Sequence, residues 1–173
     1  MDFRNIVEFI KDTSKYIIVI IVVLFVFAFV LGIQQVVGPS MQPNLKEGDI
    51  LLVNKLVYRF KNIERFDVVV LSQNDKYMIK RIIGIPGDSV EYNNNNLYIN
   101  GVLFEEEFID KNNVKTENYI LEYKSIPDNM YFVLGDNRND SQDSRDFGLI
   151  SKDNIVGKSW IQIWPINDIG IVN

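Results

Sequence analysis

Three segments of the sequence carry residue types that could do chemistry. Ser40 lies in GPSMQP (38–43), Lys80 lies in MIKRIIG (78–84), and residues 135–146 read GDNRNDSQDSRD. A serine becomes a nucleophile only when a neighbouring group accepts its proton. The chain has no histidine and no cysteine, which excludes Ser-His-Asp triads, cysteine nucleophiles and zinc sites built on thiolate or imidazole ligands. Lysine is therefore the natural base for Ser40.

Each of these segments also has a simpler interpretation. Residues 38–43, with two prolines and a glycine, would make a stiff linker. Lys80 and Arg81 alternate on a predicted strand and point to opposite faces, so one can be solvated while the other turns inward among apolar neighbours. A lone strand lysine is usually solvated, whereas desolvation that lowered its pKa by about two pH units would make it a competent base. Residues 135–146 could be a solvated loop or a calcium loop. They lack the EF-hand glycine and glutamate, however, and we expect no metal there.

The longest apolar run is IIVIIVVLFVFAFVLGI, over residues 17–33. At about 1.5 Å per residue, a helix of this length measures about 25 Å, which is near the lower limit for crossing a bilayer. We therefore predict a transmembrane helix over residues 17–33, preceded by a tail of residues 1–16. The alternative, a helix buried in a soluble protein, would need protein on every side from the rest of a small chain.

The charges that flank this run predict its orientation. The tail carries Arg4, Lys11 and Lys15, whereas the first fifteen residues after the run carry only Lys46. The positive-inside rule then places the N-terminus in the cytoplasm and residues 34–173 outside, in a single-pass protein of the cell membrane. A cleaved signal peptide is less suitable, because the run exceeds the usual 7–15 apolar residues and no Ala-x-Ala follows it.

Residues 34–173 are predicted to be mainly β. Stretches rich in β-branched and aromatic residues alternate with turns rich in Gly, Pro and Asn, and no later run predicts a helix. We expect a curled antiparallel sheet or an irregular barrel, with the polar residues 105–118 as an exposed excursion. The predicted strands are Ile50–Val53, Asp67–Leu71, Met78–Gly84, Ser89–Glu91, Leu97–Ile99, Tyr131–Leu134 and Trp160–Trp164.

Four segments, in this order behind an apolar N-terminal run, closely resemble those of bacterial type I signal peptidases of the Gram-positive kind. They are GPSMQP (38–43), GDILLVNK (48–55), KRIIGIPGD (80–88) and GDNRNDSQDSRDFG (135–148). The resemblance implies a membrane-anchored serine endopeptidase that removes signal peptides from exported pre-proteins after small residues at positions −1 and −3. It implies contact with membrane lipid, no metal and no other cofactor, and we expect a monomer.

The resemblance also assigns roles by position. Ser40 would be the nucleophile and Lys80 the general base of a Ser-Lys dyad that works through an acyl-enzyme. The Ser141 hydroxyl would orient Lys80, and Asp143 and Arg145 would form a supporting structural pair. Positions that match the −1 and −3 pockets, for which ordinary core packing is the alternative, are Val36, Met41, Leu45 and Ile79.

The resemblance assigns only one of the two hydrogen-bond donors to the oxyanion. The backbone N–H of Ser40 would be one donor. Gly38 stands where some members of the family have a side-chain hydroxyl, so the second donor would be a backbone group or water.

Two other classes of protein have to be weighed. A non-catalytic anchored β module would be expected to lack Ser40 or Lys80, and both are present. A self-cleaving repressor-type protease with a Ser-Lys pair would need a DNA-binding helical domain in place of the apolar run. The formal charge of −5 also argues against nucleic acid as a partner. Trp160 and Trp164 fit either a strand core or the bilayer interface.

Overall fold

The computed structural model describes residues 3–73 and 75–172. The chain begins with helix α1 (Phe3–Phe25), which continues as a π-helical segment over Val26–Val30. Beyond it the described residues form mostly short strands, together with two further α-helices of four residues each. The architecture is therefore mainly β, as predicted.

The predicted helix of residues 17–33 differs from the structure at its C-terminal end. The helix α1 ends at Phe25, and Leu31–Gln35 form strand β1, which pairs antiparallel with β2 (Ile50–Asn54). Strand pairing satisfies the backbone N–H and C=O groups that an extended helix would have satisfied within itself. Among the described residues, no helix combines the length and the apolar character needed to cross a bilayer.

All seven predicted strands overlap strands of the structure. The elements after β2 are α2 (Val57–Phe60), β3 (Val68–Gln73), β4 (Lys76–Gly84), β5 (Val90–Asn93), β6 (Asn96–Ile99), β7 (Val102–Phe104), β8 (Tyr119–Ile120), β9 (Met130–Leu134), α3 (Ser144–Phe147), β10 (Ile150–Ser151), β11 (Ile155–Trp164) and β12 (Gly170–Ile171). The strand β1 and the short strands β7, β8, β10 and β12 have no predicted counterpart.

The strands form two antiparallel sheets. The larger sheet has the order β1-β2-β11-β3-β4-β9-β10, with β12 paired to β11, and the smaller has the order β7-β6-β5-β8. In the described part of the chain, β1 and β10 are the two ends of the larger sheet, which does not close on itself. The irregular barrel offered as an alternative is therefore wrong.

The loop between β1 and β2 is tied to the sheet at its base. The Val36 N–H donates to the Asp49 carbonyl at 2.8 Å, and the Gly48 N–H donates to the Val36 carbonyl at 3.0 Å. One hydrophobic cluster, which includes Val36, Met41 and Leu45 with residues of β2, β3 and β4, packs beneath this loop. The base and the core together position residues 38–43 over the larger sheet.

Most of residues 105–118 are exposed, but the segment also contacts the rest of the fold. The Thr116 N–H donates to the Asn95 side chain at 2.7 Å, so the segment is attached to the tip of the β5–β6 hairpin. Isolated apolar and polar side chains within it turn inward. Those that are buried are Glu106, Ile109, Val114 and Thr116.

Trp160 and Trp164 lie on β11 with 45% and 50% of their surface exposed. This exposure excludes the interpretation that they are core residues of a strand.

Candidate active site

Ser40 and Lys80 meet in the structure. The Lys80 Nζ donates a hydrogen bond to the Ser40 Oγ at 2.8 Å. Lys80 lies in β4, where it pairs opposite Val69 of β3, and only 3% of its surface is exposed. The strand therefore presents Lys80 to the turn that carries Ser40 with almost no access to water.

Lys80 and Arg81 both turn inward, so the interpretation that the strand lysine is solvated is wrong. Arg81 is 1% exposed, although strand geometry directs the two side chains to opposite faces. Both faces of β4 are covered at this point, because one carries the turn of Ser40 and the other carries the partners of Arg81. A strand buried on both faces can hold two cations only if each has its own partners.

Burial changes the proton affinity of Lys80. Desolvation of its ammonium is the main reason that the pKa falls from 10.5 to about 8. The carboxylates of Asp143 and Asp136 act in the opposite direction and raise the pKa, and Arg145 has a smaller lowering effect. With a pKa of about 8, about a tenth of the amine is neutral at pH 7, against about 0.04% for an unperturbed lysine. The side chain can therefore accept a proton near neutral pH.

The backbone around Ser40 is tied to the loop of residues 135–146. The Ser40 carbonyl accepts from the Asn137 N–H at 3.0 Å, and the Pro39 carbonyl accepts from the Asn137 side chain at 3.2 Å. Gly38 has a φ of +78°, a left-handed conformation that glycine adopts without strain. Among the described residues, none accepts a hydrogen bond from the Ser40 N–H.

Gly135 connects this loop to the turn of Ser40. Its N–H donates to the Asp143 Oδ2 at 3.1 Å. A Cβ at position 135 would lie 2.2 Å from the Ser141 Oγ and 2.4 Å from the Ser40 carbonyl oxygen. Only a residue without a side chain allows this close approach.

Ser141 is brought to the site but does not make the predicted contact. Its hydroxyl is buried and has no hydrogen-bond partner among the described residues, and it does not bond to the Lys80 ammonium. It packs against Gly135 instead. The orienting role assigned to Ser141 stays a prediction.

Asp143 and Arg145 form an ion pair with two hydrogen bonds. The Arg145 Nε and Nη2 donate to the two Asp143 oxygens at 2.8 and 2.9 Å. Asp143 also caps the N-terminus of α3, where its backbone N–H donates to Asp146 in a capping box. The Arg145 Nη2 further donates to the Arg138 carbonyl at 2.9 Å, so the pair fixes both ends of the loop.

A second pair, between Arg81 and Asp136, has no counterpart in the sequence analysis. The Arg81 Nε and Nη2 donate to the two Asp136 oxygens at 2.8 and 2.7 Å, and the Asn44 side chain donates to the same carboxylate at 2.8 Å. Asp136 directly follows the predicted strand that ends at Leu134, and an arginine within an apolar strand needs a buried carboxylate. An arginine within one apolar strand and an aspartate just after another are the sequence features from which this pair could have been predicted.

A third buried pair joins the loop to residues 105–118. The Arg138 Nη2 lies 2.5 Å from the Glu106 Oε1, and Tyr92 of β5 donates to the same oxygen at 2.8 Å. The Arg138 Nε donates to the Gly135 carbonyl at 3.0 Å. Arginines also pair with the carboxylates of Asp136 and Asp143. These two acids, which a calcium loop would use as ligands, are therefore already occupied by ion pairs.

A cleft of about 260 Å³ opens beside Ser40 and Lys80. Three of the four predicted pocket residues, Val36, Met41 and Ile79, line it, and they also belong to the core cluster below it. Leu45 is buried in that cluster but does not line the cleft. These three side chains therefore belong to the core and also form the floor of the cleft, so the pocket and the core-packing interpretations are compatible for them.

Known proteins share this sequence and fold. The family model described as signal peptidase, peptidase S26, matches residues 6–164. Signal peptidase IB of Staphylococcus aureus is 40% identical over 178 residues, covering 91% of this chain and 93% of that protein. The probable signal peptidase I-2 of Synechocystis sp. is 32% identical over 161 residues, covering 88% of this chain and 72% of that protein.

A crystal structure of a signal peptidase I from Enterococcus faecalis is similar with a TM-score of 0.54 and 39% sequence identity. The match covers 57% of this chain and 97% of that chain. The family match over most of the sequence confirms the resemblance carried by the four segments. This chain therefore belongs to the signal peptidase family, peptidase S26, a family of serine proteases.

Proposed function

We propose that the protein removes N-terminal signal peptides from exported pre-proteins by means of a Ser40–Lys80 dyad. The observation that carries the proposal is the 2.8 Å hydrogen bond between the Lys80 Nζ and the Ser40 Oγ, made by a lysine that is almost completely buried. A neutral amine at this distance can accept the hydroxyl proton as the oxygen attacks a carbonyl carbon.

The reaction would proceed in two steps. In the first, Ser40 attacks the carbonyl before the cut, and Lys80 takes the proton and passes it to the leaving amine. In the second, the neutral Lys80 accepts a proton from a water that attacks the acyl-enzyme, and the proton returns to Ser40 as the ester breaks. The unengaged Ser40 N–H would stabilise the developing oxyanion.

The cleft suits an extended substrate with small side chains near the cut. It is lined by Val36, Met41 and Ile79, and at about 260 Å³ it is shared between at least two substrate positions, so we infer a preference for small residues at −1 and −3. Within the described residues, β1 pairs only with β2, and β9 pairs with β4 only from Arg81 onward. The edges that face the cleft are free to pair with a substrate backbone.

We also infer that the apolar N-terminal segment attaches the protein to the cell membrane, with the N-terminus cytoplasmic and the catalytic domain outside. The support is the row of exposed apolar side chains over residues 17–25 and the cations Lys11 and Lys15 before it. This arrangement would hold the enzyme and its membrane-bound substrate at the same depth, as a monomer working on one chain at a time.

Cleavage of a model pre-protein that ends its signal in Ala-x-Ala tests the dyad. In detergent, Ser40→Ala and Lys80→Ala are each expected to lower turnover by about 10³-fold or more, as seen for serine-protease nucleophiles and bases. The exposed neighbours Lys124 and Ser125 supply matched controls, and Lys124→Ala and Ser125→Ala should keep full turnover. An inert wild type, or active dyad variants, would overturn the proposal.

A further inference from the structure

A second cavity adjoins the cleft beside Ser40 at Gln34 and Tyr77. It has a volume of about 210 Å³ and extends to Gly32 and Lys55. Gln34 of β1 and Tyr77 of β4 line both cavities, so the two lie next to each other. We call the two together the groove, which extends from the dyad towards the start of β1. Lys55 lies at the far end of this groove.

The backbone at Gly32 determines where Lys55 lies. The Lys55 N–H donates to the Val30 carbonyl at 2.9 Å, which fixes the residue beside the end of the helical segment. The Lys55 Cε lies only 2.7 Å from the position that a Cβ on Gly32 would occupy. The lysine side chain therefore crosses β1 through the space that the glycine leaves open.

The Lys55 ammonium is available to a ligand. Lys55 is exposed, and among the described residues it makes no ion pair. Lys55 also lines a further cavity of about 380 Å³ together with Arg59 and Lys152, and Asp153 is the one acidic residue among its described lining residues. This end of the groove is therefore more positive than the rest of an acidic protein.

Strand geometry relates Lys55 to a position in the substrate. Lys80 and Tyr77 are three residues apart in β4, which corresponds to about 10 Å in an extended chain. A substrate lying along β4 with its cleaved bond at Ser40 passes Tyr77 at about position −4. The second cavity then receives the residues just before it, and Lys55 lies beside about position −5.

We propose that Lys55 is a specificity-determining residue that contacts the pre-protein at about positions −4 to −6 and favours an acidic side chain there over a basic one. The proposal rests on the proposed function and names a further subsite of the same cleft. The attraction is between an exposed ammonium and a carboxylate, so its size is modest and falls with added salt. Cleavage chemistry at Ser40 is unaffected.

The test compares pre-proteins that carry Glu, Gln or Lys at each of positions −4, −5 and −6, cleaved in competition by the full-length enzyme. For the wild type, kcat/KM should rank Glu above Gln above Lys at one of these positions, by about two- to fivefold per step. Lys55→Gln should remove the ranking, and Lys55→Glu should invert it. Lys115→Glu, an equal change of charge at an exposed position of residues 105–118, should leave the ranking intact.

The outcomes separate this proposal from the proposed function. A wild type that cuts none of the pre-proteins refutes the function itself. A wild type that cuts them all with no ranking, or a ranking that survives in Lys55→Glu, overturns the role of Lys55 while the dyad stands. An inversion produced equally by Lys115→Glu would show that only net charge matters, which also overturns it.

Discussion

Gly135 approaches Ser40 so closely that a Cβ on Gly135 would lie 2.4 Å from the Ser40 carbonyl oxygen. The same carbonyl accepts a hydrogen bond from the Asn137 N–H at 3.0 Å. The loop of residues 135–146 thus packs directly on the backbone of the proposed nucleophile. The position of the Ser40 Oγ relative to Lys80 therefore depends on this packing as well as on β4.

Replacing Gly135 with alanine should separate the two segments. Because the added Cβ would meet backbone and a buried hydroxyl, we expect Gly135→Ala to lower the free energy of unfolding by about 2 kcal/mol. A displacement of about 1 Å at Ser40 should lower kcat by about 100-fold. At Gly170 the nearest atom to an added Cβ is 3.9 Å away, so Gly170→Ala should change neither quantity. Equal effects of the two variants in urea unfolding and pre-protein cleavage would contradict this explanation.

The pH dependence of cleavage should report Lys80. Its pKa of about 8 is lowered from 10.5 chiefly by desolvation, and the neutral form is the active base. The value of kcat/KM should therefore rise about tenfold per pH unit well below pH 8 and level off above it. Lys80→Arg should be inactive across this range, because a guanidinium stays protonated. A flat wild-type profile between pH 6 and 9, measured with a substrate free of titratable side chains near the cut, would exclude this base.

Replacing Ser141 with alanine distinguishes a structural role of its hydroxyl from a catalytic one. The hydroxyl has no hydrogen-bond partner among the described residues, so Ser141→Ala should change the free energy of unfolding by no more than about 0.5 kcal/mol. If the hydroxyl bonds to neutral Lys80 during the reaction, kcat should fall at least about tenfold with KM unchanged. Unchanged kcat would refute the orienting role, and a parallel loss of stability would assign Ser141 to packing.

The buried pair of Glu106 and Arg138 should be important for stability. Glu106→Gln leaves the guanidinium of Arg138 buried without its counter-charge, which should lower the free energy of unfolding by about 3–5 kcal/mol. The neighbouring Glu107 is exposed, and Glu107→Gln should change it by no more than about 0.5 kcal/mol. Urea unfolding of both variants measures the difference. Similar values for the two would show that the pair is dispensable.

Local sequence patterns predicted seven of the strands but not the segments that pack over them. β-Branched and aromatic residues predict β2, β3 and β4, because strand preference depends on the residues themselves. The strand β1 could not be predicted in this way, because Leu31 and Ile33 continue an apolar run and become extended only by pairing with β2. The contacts of residues 105–118 could not be predicted either, because their composition is that of a loop and the burial of Glu106 depends on Arg138 and Tyr92.

The sequence by itself determined the chemical inventory of the site. With no histidine and no cysteine, lysine was the natural base for Ser40, and the order of four segments indicated the family. Tertiary structure alone decided that Lys80 is buried and 2.8 Å from Ser40 and that Arg81 pairs with Asp136. It also decided that the Ser141 hydroxyl has no hydrogen-bond partner within the described part of the chain. These are properties of distance and solvation between segments 40 and more residues apart, and no local pattern of residues contains them.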